Sequence, residues 1–325
     1  MRACVGCVVG WVMVAALNCG WADAEDFSVH LEQMAEIDGA RAIPEYKIEK
    51  ELRLSRMGPF DLPVKAYKVL IHFKEFGDVE LGEAETAGPS TGKQWPAGTT
   101  FDSGVDATSV KTGWIKDAGD LFIVAWVDES SPLGNHLHSD HDCAIMRLKG
   151  GRAEVLLRRD CNGSSWHASW SYDLAMVSTR FSFDRRRGIL IEEMTRSADM
   201  DRVGPGPLAH LQPGKEGGED WVAEIREKVR IEYKLTGSGL KPVACSLTYV
   251  TQNHDEISKI AEFYLGPLAS GQLLLDANAD LAAKHKDYRP GYVIDFPAGV
   301  QVRIPVPQEW LIERYCPRLK GQHPQ

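Results

Sequence analysis

Three histidines and one aspartate stand close together near the middle of the chain: His136, His138, Asp140 and His141. Imidazole nitrogens and carboxylate oxygens are ligands that zinc accepts in proteins. A zinc ion with an open coordination position lowers the pKa of its bound water and so produces a hydroxide nucleophile. Side chains of these types could hold a metal ion, with zinc as a possible cofactor, if further ligands complete the site.

These residues resemble the H-x-H-x-D-H motif of hydrolases with the metallo-β-lactamase fold, and the resemblance implies a secreted zinc-dependent hydrolase. That family continues with a glycine-rich helix start, whereas residues 142–148 are typical of a strand that leads into Gly150-Gly151. The alternation of strands and helices that the fold requires is also missing. Three interpretations stay open: a catalytic zinc site, a structural or adventitious metal site, and a solvated loop.

Strand patterns dominate the part of the chain that would position this motif. They occur at residues 64–73, 121–127, 144–148, 153–158, 175–183, 189–194 and 229–235. The dipeptides Gly150-Gly151 and Arg187-Gly188 predict turns between neighbouring strands. A short helix is expected around residues 29–37, and a long surface loop over 83–113. We therefore expect a mostly antiparallel β domain, a sandwich or an open barrel, within residues 25–242, after a polar segment.

The pattern changes after this domain. Residues 247–252 predict a strand, and the apolar residues of 257–264 recur at helical spacing until Gly266-Pro267 ends the run. A second amphipathic run covers 273–281, and residues 300–305 predict a final strand. The expected order is strand, helix, helix, strand.

This segment resembles a LysM domain, in the variant seen in phage tail protein X-like proteins. The matching positions are Tyr249, Gln252, Asp255, Ile260-Ala261, Phe263-Tyr264, Gly266, Ala277-Asn278, Pro297-Ala298-Gly299 and Ile304-Pro305. The resemblance implies a small βααβ domain over residues 243–317, followed by a tail at 318–325, so that the whole chain is of the α+β class. Asn253 and His254 depart from the family, which has a glycine and its neighbour in this first loop.

LysM domains bind peptidoglycan and other glycans that contain N-acetylglucosamine, in a groove between the first strand-helix loop and the second helix-strand loop. By resemblance, the glycan-binding residues of this chain are Asn253, His254, Asp255, Glu256, Asn278, Arg289 and Gly291. Two of them have structural alternatives, Asp255 as the N-cap of a helix and Asn278 as a helix C-terminal residue. The leading interpretation is a non-enzymatic glycan-binding protein. A structural or assembly role, in which the LysM-like fold contacts proteins, stays open.

The N-terminus predicts export. Arg2, an apolar core at 5–17 and the small residues of Ala22-Asp23-Ala24 form a signal peptide over residues 1–24. The mature chain is then expected in the periplasm or cell envelope and not as an integral membrane protein. The net charge of -9 and the pI near 5.6 argue against a nucleic-acid partner, which requires clustered lysine and arginine.

Removal of that signal peptide would leave the cysteines at positions 143, 161, 245 and 316. In an oxidising compartment, four cysteines permit two disulfides. Cys143 and Cys161 flank a predicted hairpin, and the LysM resemblance makes the strands beside Cys245 and Cys316 neighbours, so we predict these two pairings. The alternative is four unpaired buried thiols.

Overall fold

The structure is a computed structural model that describes residues 29–57, 63–88, 101–130, 136–167, 176–199, 224–237, 239–252, 255–266, 268–289 and 292–316. The predicted signal peptide and tail lie outside these ranges. The strands are β1 (Tyr46–Met57), β2 (Pro63–Phe73), β3 (Gly77–Ala87), β4 (Phe101–Val105), β5 (Lys111–Trp114), β6 (Leu121–Ser130), β7 (His136–Lys149), β8 (Arg152–His167), β9 (Met176–Asp184), β10 (Ile189–Asp199), β11 (Glu224–Thr236), β12 (Gly239–Val250), β13 (Asp255–Glu256), β14 (Asp295–Phe296) and β15 (Gln301–Ile304). The helices are α1 (Leu31–Met34), α2 (Ile257–Leu265), α3 (Gly271–Ala277), α4 (Ala279–Lys284) and α5 (Gln308–Tyr315). None of the helices in the described ranges is long and apolar enough to cross a membrane.

Within the described residues, one antiparallel sheet of thirteen strands forms most of the fold. Its order is β1-β2-β3-β4-β6-β7-β8-β9-β10-β11-β12-β15, with β5 paired to β6, and β13 and β14 form a separate two-stranded pair. The mostly antiparallel β prediction is therefore confirmed. Both β3 and β12 contact β8 although neither is its neighbour in the sheet, because the sheet curls. The result is an open, half-barrel-like sheet.

The central strands of this sheet are buried on both faces. On β6, Leu121, Ile123 and Ala125 belong to one hydrophobic cluster, and Phe122 and Val124 belong to another. The first cluster continues into α1, β10–β12 and the C-terminal helices, and the second is formed with β2, β3 and β5. Burial on both faces explains why residues 121–127 are continuously apolar and do not alternate with polar residues.

The C-terminal segment shares this sheet and its core. β12 pairs with β11 along one edge and with β15 along the other, and α2, α3 and α4 lie between β12 and β15 in the chain. The boundary predicted after residue 242 falls inside β12. The second predicted helix is two short helices, α3 and α4, which are separated at Asn278.

Two local predictions need correction. Of the expected loop at 83–113, the structure describes residues 83–88 and 101–113, and most of these belong to the end of β3, to β4 and to β5. Val105 and the following Trp114 are buried in the second cluster. The expected helix at 29–37 is restricted to α1. After it, Ala35 forms a single β-bridge to Phe181, and Ile37 forms one to Ile115. In both places, pairing with distant residues decides the backbone conformation.

Candidate functional site

The histidine-rich motif lies in a strand. His136–His141 begins β7, which pairs with β6 and β8, so this part of the backbone is not the loop that one interpretation required. Successive residues of an extended strand lie on opposite faces, which places positions 140 and 141 on opposite faces of the sheet. The side chains of His136, His138 and Asp140 lie outside the described part of the structure. Among the side chains described, no group of three or more His, Cys, Asp or Glu residues could hold a metal ion.

A disulfide follows this motif directly. Cys143 on β7 is bonded to Cys161 on β8, with their Cα atoms 6.0 Å apart, which confirms the first predicted pairing. The turn between the two strands is formed by Gly150 and Gly151, both with positive φ (60° and 74°), as expected of a tight hairpin turn. The second predicted pairing is not formed in this structure, where Cys245 and Cys316 are separate thiols.

The two loops that the LysM resemblance assigns to a glycan groove lie side by side. β13, which begins the helical part, pairs with β14, which ends it, with Asp255 opposite Phe296 and Glu256 opposite Asp295. The backbone N–H of Ile257 also donates to the carbonyl of Ile294, at 3.1 Å. The predicted ligands Asn253, His254 and Gly291 lie outside the described residues. Arg289 is exposed in the second loop, and Glu256 is half-buried in the first.

Asp255 is held inside the first loop by two hydrogen bonds. Its Oδ2 accepts from the backbone N–H of Gln252 at 2.6 Å and from the hydroxyl of Tyr249 at 2.7 Å. Burial and then this contact with Asp255 raise the pKa of Tyr249. The N-cap of α2 is Glu256, with no capping side-chain bond, so Asp255 does not act as the helix N-cap. Its carboxylate closes the loop onto β12.

Asn278 also makes internal contacts. It is the C-cap residue of α3, and its side-chain amide nitrogen donates to the carbonyls of Leu274 and Arg303 at 2.6 and 2.8 Å. Its amide oxygen accepts from the backbone N–H of Arg303 at 2.8 Å. The side chain therefore connects the helices to β15. This agrees with the alternative interpretation of Asn278 as a helix C-terminal residue.

A buried polar cluster lies on the inner face of the sheet, and sequence reasoning missed it. Arg159 on β8 donates from Nε and Nη2 to the two carboxylate oxygens of Glu192 on β10, at 2.6 and 3.0 Å. Tyr233 on β11 donates to Glu192 at 2.6 Å and accepts from Arg159 at 2.7 Å. The side chains of Arg159 and Glu192 are 6% and 0% exposed. Burial would lower the pKa of Arg159, but the charge of Glu192 and the contact with Tyr233 raise it overall.

A second buried carboxylate joins the sheet to the C-terminal helices. Glu227 on β11 accepts hydrogen bonds from the hydroxyl of Tyr264 on α2 at 2.9 Å and from that of Tyr315 on α5 at 3.3 Å. Arg196 on β10 lies 3.7 Å from the same carboxylate. Burial and then Glu227 raise the pKa of both tyrosines, that of Tyr315 to about 12.

A sequence signal for these carboxylates exists in the strand alternation. Glu227 stands in phase with Val229, Ile231 and Tyr233, all of which face the core, and Glu192 stands in phase with Leu190. A charged residue in the apolar phase of a strand indicates a buried, paired group. The partners could not be identified in this way, because they lie on other strands.

Comparison of the chain with known protein families, with curated proteins and with solved structures found no match. The candidate site therefore rests on the geometry of the loops beside β13 and β14 and on the residues that carry the LysM resemblance.

Proposed function

We propose that this is an exported cell-envelope protein that binds peptidoglycan, or a related glycan containing N-acetylglucosamine, through its C-terminal LysM-like segment. The observation that carries the proposal is the pairing of β13 with β14, since it joins the loop before α2 to the loop after α4. A LysM domain grips its glycan between these same two loops. The proposal thus combines this arrangement with the residue matches that carry the LysM resemblance.

The described surface of the two loops suits a weakly charged sugar polymer. Tyr292 and Val293 precede β14 and are 57% and 64% exposed, although large apolar side chains are commonly buried. A tyrosine ring offers an apolar face to a pyranose ring and a polar hydroxyl at its edge. Glu256 is paired with Lys259 at 3.3 Å, so that among the described residues of the first loop the Asp255 carboxylate is the charge that remains. With a single LysM-like segment, we expect modest affinity that increases where several copies act together.

The test is co-sedimentation of the full chain with purified, insoluble peptidoglycan. Wild type should pellet above the level of an unrelated protein of similar charge, and soluble N-acetylglucosamine oligomers should compete. Tyr292→Ala should reduce the pelleted fraction, whereas Trp310→Ala, which removes an exposed aromatic residue from α5, should leave it unchanged. Wild type that does not pellet above the control would refute glycan binding and favour a role in protein contacts.

A further inference from the structure

Cys245 and Cys316 lie on either side of one tyrosine. Cys245 on β12 stands opposite Ile231 on β11, and a bulge then shifts the register so that Tyr233, two residues after Ile231, stands opposite Pro242. The helix α5, which ends just before Cys316, packs against β12, and Cys316 is one of the groups that act electrostatically on Cys245. The Sγ atom of Cys316, which ends α5, lies 3.9 Å from the hydroxyl of Tyr233. The fold therefore brings the two thiols to one place, although 70 residues separate them in the chain.

The electrostatics of the two thiols agree with this placement. Burial raises the pKa of Cys245 to about 12, and the nearby Cys316 is the next contribution, followed by Glu192 and Arg159. Burial also raises the pKa of Cys316, while the hydrogen bond with Tyr233 and the charge of Arg159 act against this rise. Both thiols thus border the Arg159–Glu192–Tyr233 cluster. At neutral pH both are protonated thiols, so they stay reduced until a disulfide oxidant is supplied, and their exchange with it is slow.

We propose that Cys245 and Cys316 are a redox-sensitive thiol pair. The pair is reduced in this structure, and it forms a disulfide that links α5 to β12 when a small-molecule disulfide oxidises it. The reaction proceeds by two exchanges. The thiolate of Cys316 attacks a sulfur of oxidised glutathione, forms a mixed disulfide and releases one glutathione thiolate. The thiolate of Cys245 then attacks the Cys316 sulfur, which closes the protein disulfide and releases the second. Two protein thiols are oxidised, and one glutathione disulfide is reduced to two thiols.

The difference in burial assigns the order of the two steps. Cys316 is half-buried at the end of a helix, whereas Cys245 is only 9% exposed within the sheet. Oxidised glutathione therefore reacts with Cys316 first, and the more buried Cys245 then attacks the mixed disulfide. Because only thiolates react and the pKa of Cys316 is raised, the rate should increase steadily as the pH rises from 7 to 9.

The experiment incubates the full, folded chain with oxidised glutathione and maps the non-reduced peptides by mass spectrometry. Wild type should yield the peptide of Cys245 joined to that of Cys316. Cys245→Ser should accumulate glutathione on Cys316, and Cys316→Ser should leave Cys245 unmodified. Circular dichroism checks that each variant is folded.

The oxidised wild type should also melt about 5–10 °C higher than the reduced protein, because the bond restricts a long loop of the unfolded chain. Neither serine variant should show this shift. The proposal is overturned if wild type carries glutathione on both cysteines, or stays unmodified at both, under conditions that join them in the denatured chain. The pairing of Cys143 with Cys161 serves as an internal control in every digest.

Discussion

Replacement of Glu192 by glutamine tests the account of the buried cluster most directly. The Glu192 carboxylate has no exposed surface and accepts three hydrogen bonds, two from Arg159 and one from Tyr233. Glutamine has nearly the same shape, but it keeps one acceptor oxygen and presents an N–H group toward a donor. The guanidinium of Arg159 would remain buried without a counter-charge. Breaking a buried pair in this way costs about 3–5 kcal/mol of the free energy of unfolding.

The adjacent residue provides a matched control. Glu193 lies on the same strand and forms an ion pair with Arg230 at 2.6 Å, but these side chains are 57% and 42% exposed. Water and salt screen such a pair, so Glu193→Gln should cost less than about 1 kcal/mol. The two substitutions remove the same charge from neighbouring positions and differ chiefly in burial.

Urea unfolding followed by tryptophan fluorescence measures both effects, with unchanged m-values as the condition for comparing them. A double variant, Arg159→Met with Glu192→Leu, removes both charges and should recover to within about 2 kcal/mol of wild type. If Glu192→Gln is no more destabilising than Glu193→Gln, burial does not increase the contribution of the Arg159–Glu192 pair to the free energy of unfolding. If the double variant is as unstable as Glu192→Gln, unpaired charge is not the cause.

Two further predictions concern alkaline pH and the observed disulfide. Because burial raises the pKa of Cys245 and Tyr233 in the folded state, their contribution to stability is complete below the unfolded values of about 8.5 and 10. This stability is lost as the pH rises toward the folded-state pKa values, by about 1.4 kcal/mol per pH unit for each group. Melting temperatures measured from pH 8 to 11 should therefore fall progressively. A melting temperature that stays constant over this range would contradict the burial of these groups. Replacement of both Cys143 and Cys161 by serine should lower the free energy of unfolding by about 3 kcal/mol, because the bond closes a loop of this size, with the reduced wild type as the control in urea titrations.

Much of the β fold was predictable because its signals are local. The hairpin between β7 and β8 follows from alternating residues on both sides of Gly150-Gly151, and the same hairpin brings Cys143 to Cys161. The helices after β12 follow from apolar spacing and from a stop at Gly266. Each of these features depends on residues within about twenty positions of one another.

The predictions that were wrong concern segments whose conformation depends on residues far away in the chain. Residues 83–113 are rich in Gly, Thr and Ser, and their local composition indicates a loop, but Val105 and Trp114 bury their side chains in a cluster completed by β2 and β6. For the histidine motif, a solvated loop was one of three interpretations, but pairing with β6 and β8 extends β7 through it. In both cases, distant partners supply the backbone hydrogen bonds that local composition does not predict.

The sequence by itself determined the antiparallel β class, the strand–helix–strand order of the C-terminal segment and one disulfide, because periodicity, turn residues and short separations encode them. Only the tertiary structure decided which polar groups meet. Asp255 closes its own loop, Asn278 ties helices to β15, and Arg159, Glu192 and Tyr233 converge from three strands. Such contacts depend on a curled sheet whose strands come from distant parts of the chain, and not on any single stretch of residues.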